Sequence, residues 1–139
     1  MADLATTFQF ELVSPERKLV SAPAWQVTLP GDMGDVGVRA GHMALVVSMR
    51  AGVVTIETSD NGVKERIFVA GGFADIGADH CTILAEQAFE VSKLNAEKLE
   101  QELKHLGEDL SVATTDFERA NIAERQVLVN AMIDAVRAA

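Results

Sequence analysis

The fold class this sequence predicts is a β-sandwich, a flattened barrel of about ten short strands, followed by a C-terminal antiparallel α-helical hairpin. Three observations carry that reading. Pro15, Pro23 and Pro30 all precede residue 31 and nine of the ten glycines lie at or before Gly77, so residues 78 to 139 hold only Gly107. The apolar period lengthens from two residues to between three and four after Ala88. A capping box, Thr115-x-x-Glu118, then opens the last helix. The expected division is 1–88 for the sandwich and 89–139 for the hairpin.

The elements follow in order. Phe8, Phe10 and Leu12 alternate as one face of a half-buried strand. Ser14-Pro15-Glu16-Arg17 reads as a turn, because proline presets the turn dihedral and its polar neighbours bond the backbone. Trp25, Val27 and Leu29 alternate again, and Pro30-Gly31 is expected to stop that strand. Gly31, Gly34, Gly37 and Gly41 predict successive tight turns and bulges over residues 31 to 42. Met43 to Met49 and Val53 to Thr58 are two runs of strand length. Asp60-Asn61-Gly62 joins the second to Val63 to Ala70, and Asn-Gly between alternating segments signals a hairpin. Phe73 to Ile76 and Cys81 to Ala85 flank a turn at Gly77-Ala78-Asp79-His80.

In the helical part, Leu94, Leu99, Leu103 and Leu106 form an apolar stripe, with Glu100 and Lys104 as a favourable i,i+4 pair. Ser92 or Asn95 suits the start of this helix, and Gly107 is expected to end it. The second helix is expected from about Asp116 to Arg137. At ~1.5 Å per residue the two would measure roughly 18 Å and 33 Å, leaving an overhang of two to three turns that carries Leu128, Val129, Met132, Ile133 and Val136. Apolar surface of that extent requires a cover, either the sandwich or another protein.

Composition excludes several function classes. Of 139 residues, 48% are apolar and 24% charged; 21 acidic side chains against 12 basic ones leave a net charge of −9 with no cationic run. A sequence-independent grip on a phosphate backbone needs clustered cations and is not expected. Cys81 is the only cysteine, which excludes a disulfide framework and a cysteine zinc site, and its expected place is a buried strand position. Met1-Ala2-Asp3-Leu4 lacks a basic region followed by an apolar core, and no apolar run reaches the ~20 residues a membrane span needs, so a soluble, cytoplasmic chain without a targeting segment is expected.

No constellation reads as an active site. His42 with Asp32 and Asp35 lacks the spacing of a metal site. His80 and Cys81, adjacent on a strand, point to opposite faces and so cannot form a nucleophile pair. Asp75 and Asp79 flank a turn. Gly31-x-x-Gly34-x-x-Gly37 is neither a dinucleotide fingerprint nor a phosphate loop, and no helix follows it.

The run Val13-Ser14-Pro15-Glu16-Arg17, then Val27-x-Leu29-Pro30-Gly31-x-x-Gly34-Asp35-x-Gly37-Val38-x-x-Gly41-His42, Gly71-Gly72-Phe73 and Thr82-Ile83-Leu84-Ala85-Glu86 resembles the epsilon subunit of the bacterial F-type ATP synthase. The likeness spans residues 8 to 106 by motif and the remainder by architecture. It implies a non-catalytic central-stalk subunit with no cofactor, held with the gamma subunit on the c-ring at the cytoplasmic face of the inner membrane. Such a subunit helps couple rotation to ATP synthesis, and its last helix reaches toward the alpha/beta catalytic head to restrain hydrolysis. By resemblance, Asp35 occupies the acidic position facing the c-ring loops, and His42 the position close to gamma. The rival reading is a free-standing β-sandwich adaptor that binds some other partner through its hairpin.

Two departures from the family pattern bear on regulation. Members that bind ATP carry an Ile/Leu-Asp-x-x-Arg-Ala motif at the start of the first helix, where this chain has Leu94-Asn95-Ala96-Glu97-Lys98-Leu99. Asn95 keeps the aspartate's shape without its charge, and Lys98 lacks the planar fork of arginine; these are the two candidate nucleotide-binding residues, and weak or absent ATP binding is expected. Residues 107 to 139 carry Arg119, Arg125 and Arg137 against six carboxylates, a net charge of −3. A helix so charged gains nothing from an acidic loop in the catalytic head, so weak inhibition is expected.

Overall fold

The computed structural model describes residues 6–59, 62 and 64–138, in two compact units that meet between Glu90 and Val91. Eight strands build the first unit among the described residues: β1 (Phe8–Val13), β2 (Lys18–Ala24), β3 (Gln26–Gly31), β4 (Gly34–Val38), β5 (Leu45–Glu57), β6 (Lys64–Ile76), β7 (His80–Ala85) and β8 (Ala88–Glu90). They pair in the order β2-β1-β7-β6-β5-β3-β4, with β8 on β6; β1 and β7 run parallel and every other pair antiparallel.

The expected pairs of runs around residues 43 to 58 and 63 to 76 are each one strand of 13 residues, not two. Asp60 and Asn61 of the expected turn lie outside the described residues, but Glu57 pairs with Lys64 and the ladder continues to Leu45 opposite Ile76. Along both strands the inward face changes parity. On β6 Ile67 and Val69 point into the core before the corner and Ala74 and Ile76 after it; on β5 Met49 is buried on one side and Val54 and Ile56 on the other. Gly71 and Gly72 make the change possible, with φ of +105° and +130°. A β-carbon on Gly72 would lie 2.1 Å from the Leu84 carbonyl oxygen, so glycine alone fits there. The ribbon therefore rolls over at the corner and closes one core, which holds Phe10, Leu12, Val27, Leu29, Val54, Ile67, Ile76 and Ile83.

Edge positions explain the strands that local signals miss. β2 tolerates Pro23 because it is an outermost strand, where a missing N–H breaks no ladder on its open side. β4, expected as turns, is the opposite edge and pairs with β3 from Gly31 opposite Gly34 to Val27 opposite Val38. β3 runs through Pro30 and ends at Gly31, as expected. The β3–β5 register shifts between Thr28 and Gly31, which places Pro30 where no bond to β5 is required.

In the second unit a short 3₁₀ turn (Val91–Lys93) precedes α1 (Ala96–Val112) and α2 (Asp116–Arg137). Asn95 caps α1, its side chain accepting from the Lys98 N–H at 3.2 Å. Thr115 caps α2 by accepting from the Glu118 N–H at 3.1 Å, while the Glu118 carboxylate accepts from the Thr114 N–H. Gly107 does not end α1. The stripe of Leu99, Leu103 and Leu106 continues to Leu110, all at least half-buried, and packing against α2 outweighs the ~1 kcal/mol cost of a helical glycine. Ala113, extended at φ −64° and ψ 136°, ends the helix instead. With α1 17 residues long and α2 22, the overhang shrinks to little more than one turn. Val129, Met132 and Ile133 are buried.

These glycines respond to alanine with opposite signs. Gly72→Ala, which adds both strain and a backbone clash, lowers stability by about 3 kcal/mol or more. Gly107→Ala, with open space around its β-carbon, raises the hairpin's stability by roughly 0.5–1 kcal/mol. Thermal melts followed by circular dichroism check both, and a neutral Gly72→Ala would overturn the account of the corner.

Candidate docking site

Asp35 and His42, both singled out by the sequence, sit in different parts of the first unit. Asp35 is an outward residue of β4, two positions past the Asp32-Met33 turn that closes the β3–β4 hairpin. Its carboxylate is not free. Arg50, on β5, donates from Nη2 to Asp35 Oδ1 at 2.6 Å and from Nη1 to the Gly31 carbonyl. One guanidinium thus ties three adjacent strands at the root of the hairpin. Arg50 carries no local signal in the sequence, since its partners lie 15 and 19 residues away and only the strand order brings them together.

His42 lies half-buried in the connection between β4 and β5. Its Nδ1 is 2.7 Å from the Met43 carbonyl oxygen, and its backbone N–H donates to Arg39 O. Gly41, at φ +86°, donates its N–H to Ala78 O at 2.7 Å, which fastens this loop to the β6–β7 turn. Arg39 stacks over the Trp25 ring, 4.1 Å from its centroid, and secures the other side of the loop. Among the described residues no hydrogen bond or ion pair joins His42 to Asp35 or Asp32, so the three do not form a cluster. No group of three or more His, Cys, Asp or Glu residues is placed to hold a metal ion among the described residues.

Next to the His42 loop, the outer face of the sheet is unusually apolar. Phe73 on β6 and Leu84 on β7 are register partners, each 57% exposed, and Ser48 and Val13 extend their row on either side. Val46 and Met43, 68% and 74% exposed, continue the surface toward His42. An aromatic and several aliphatic side chains on one solvent-facing sheet surface mark an interaction site more often than chance exposure does. The signal was present in the sequence: Phe73 shares its alternation with Asp75, and Leu84 with Thr82 and His80, the polar side of each strand.

The expected opposition of His80 and Cys81 is what the structure shows. Cys81 is fully buried, and burial pushes its thiol up to about 12, leaving no thiolate for chemistry. His80 faces out between two carboxylates, with Nδ1 3.1 Å from Asp79 Oδ1 and Nε2 3.6 Å from Asp75 Oδ2. The hydrogen bond to Asp79 raises its pKa above the ordinary 6.5, and the neighbouring Asp75 adds to the effect. A raised folded-state pKa means the pair stabilises the turn fully below about 6.5 and the contribution fades as pH rises through the raised value. A shallow recess of about 350 Å³ lies between the Ser14–Arg17 turn and residues 86–89. Asn95 and Lys98, the candidate nucleotide contacts, lie in the helical unit, where the Asn95 side chain is already engaged in capping.

An NMR titration of the histidine ring protons measures the turn directly. The His80 midpoint lies above 6.5 and falls on Asp79→Asn substitution; a midpoint at or below 6.5 in the native chain would remove the ion pair from the account.

Residues 7–91 match the family model described as the ATP synthase delta/epsilon chain beta-sandwich domain. The ATP synthase epsilon chain of Rhodospirillum rubrum is 41% identical over 133 residues, covering 95% of this chain and 98% of the relative. That of Rhodospirillum centenum is 39% identical over 137 residues, covering 96% and 94%. The fold is also found in the cryo-EM structure of the Euglena gracilis mitochondrial ATP synthase, with a TM-score of 0.83 at 20% identity over 97% of this chain and 84% of the other. The Tetrahymena thermophila mitochondrial central stalk and c-ring structure gives a TM-score of 0.67 at 17% identity, over 93% and 96%. With a near-full-length likeness to bacterial epsilon chains and a sandwich that fits the family model, the chain belongs to the ATP synthase epsilon chain family.

Proposed function

We propose that this epsilon chain is a docking and coupling subunit of the central stalk: its sandwich joins the gamma subunit to the c-ring, and its hairpin contributes little to restraining hydrolysis. The observation that carries the docking reading is the exposed Phe73–Leu84 row beside the His42 loop. Gamma is its occupant in this reading, since the position of His42 resembles the one close to gamma in the family, and the apolar row is continuous with it through Val46 and Met43. Asp35, at the β3–β4 hairpin, is the contact for polar loops of the c-ring. Apolar burial supplies the affinity and the rim charge sets the register. The subunit works at the cytoplasmic face of the inner membrane through these partners. Among the described residues no helix is long and apolar enough to cross a membrane.

The weak-inhibition reading rests on where the hairpin's arginines are spent. Arg119 pairs with Asp116 at 2.6 Å and donates to Ala113 O, Arg125 pairs with Glu102 at 2.8 Å, and Arg137 pairs with Glu100. All three cations of residues 107 to 139 thus already face carboxylates of their own unit. An acidic loop in the alpha/beta head would compete with those partners for the same donors, so it would gain only the difference between two exposed ion pairs. For ATP, Asn95 caps α1 and Lys98 presents a point charge without a fork, so tight binding has no matching donor set.

Phe73→Ser weakens rebinding to an epsilon-depleted gamma–c-ring complex about thirtyfold, or ~2 kcal/mol, the cost of losing an aromatic anchor, while the thermal midpoint stays near native. Native-strength rebinding would exclude the apolar row as the gamma contact. Deleting residues 91–139 in the assembled enzyme changes ATPase activity less than about twofold, and isothermal titration finds no micromolar ATP site. Strong relief of inhibition, or micromolar affinity with a compacted hairpin, would reverse the respective reading.

A further inference from the structure

The geometry points to Arg50 as a positioning residue for the docking carboxylate, an inference that rests on the reading of Asp35 as a docking contact. An aspartate at the start of an edge strand has freedom about two side-chain torsions, and in water it would sample several orientations. Here it does not. Arg50 reaches from β5 across β3, anchors one arm of its fork on the Gly31 carbonyl and holds Asp35 Oδ1 with the other at 2.6 Å. Because Gly31 is opposite both Gly34 on β4 and Met49 on β5, the fork fixes the hairpin root and the carboxylate together. Oδ2 remains available to a cationic or N–H donor of the partner.

Both groups are exposed, 47% for Arg50 and 65% for Asp35, so the pair contributes little to folding. Its effect lies in binding, where it acts in two opposed ways. A neutralised carboxylate attracts a distant basic loop less than a bare one, which slows association. A carboxylate already in its bound orientation loses less freedom on docking, which slows dissociation. Arg50 therefore exchanges speed of encounter for residence time and register. Lysine at this position would keep the charge and lose the fork, since a single ammonium cannot hold two acceptors in fixed directions as a planar guanidinium does.

The test measures association and dissociation rates of the full-length chain with an epsilon-depleted gamma–c-ring complex in detergent, at low and physiological salt. Asp35→Asn examines the underlying reading: it slows association and weakens its salt dependence, and no change in either rate would mean that Asp35 is not a docking contact. Given that effect, R50Q is expected to speed association about threefold at low salt and dissociation about fivefold. R50K leaves association near native and still speeds dissociation, and in the D35N background R50Q adds nothing to dissociation. Native dissociation rates for R50Q and R50K, or an equal acceleration by R50Q with and without Asp35, would overturn the positioning role. Thermal midpoints are recorded for each variant, and R50K carries the test if R50Q fails to fold.

Discussion

The corner at Gly71-Gly72, with Met49 of β5 opposite Gly72, is the constraint on which the first unit depends. In a straight two-stranded ribbon every second side chain keeps to one face, so the buried sets of β5 and β6 on the two sides of the corner would point in opposite directions. The parity change turns them to the same interior. Gly52 serves the same end from the other strand: a β-carbon there would lie 2.9 Å from Pro30 Cβ, at the place where the β3–β5 ladder is interrupted. Both interruptions lie where the chain must bend, and each is met by a residue without a side chain or without an N–H.

The exposed apolar row follows from that corner. Beyond it, Ala74 and Ile76 point inward, so Phe73 and Asp75 must point outward, and the β6–β7 register brings Leu84 beside Phe73. Without the switch Phe73 would belong to the core. The loop carrying His42 is held to the same end of the unit by the Gly41–Ala78 hydrogen bond. Core closure and presentation of an apolar outer row are thus two results of one local backbone geometry.

What could be read from the sequence was whatever is encoded locally. The alternation of Phe8, Phe10 and Leu12, the Asn95 and Thr115 caps, and the burial of Cys81 each depend on a few neighbouring residues. Edge strands were hidden because Pro23 and the glycines of β4 carry turn chemistry that only an edge tolerates, and edge status depends on the order of all strands. The two long strands looked like four because a corner glycine and a turn glycine have the same local signature. Gly107 misled for a related reason: the stop signal is weak beside the continuation of the leucine stripe to Leu110. Asp35 and His42 are candidates through the motif they share. The placement of Arg50 beside Asp35, and of Phe73 beside Leu84, depends on the strand order and register.

Formal charge is a poor guide to what a partner meets on this molecule. The chain carries a net charge of −9, yet several of its arginines, Arg50, Arg119, Arg125 and Arg137, are matched to carboxylates of the chain itself. At physiological ionic strength charges are screened over about 8 Å, so a partner approaching from farther away sees each pair as nearly neutral and responds to the carboxylates that remain. Those exposed pairs add little to folding stability, but they determine which groups are available for binding and in what orientation. On the sandwich, the Arg50 pair leaves one oxygen of Asp35 presented in a fixed direction; on the hairpin, the pairs leave no arginine of residues 107 to 139 uncommitted. The same residue type is therefore engaged with carboxylates in both units, and what a partner meets depends on which atoms its fork already holds.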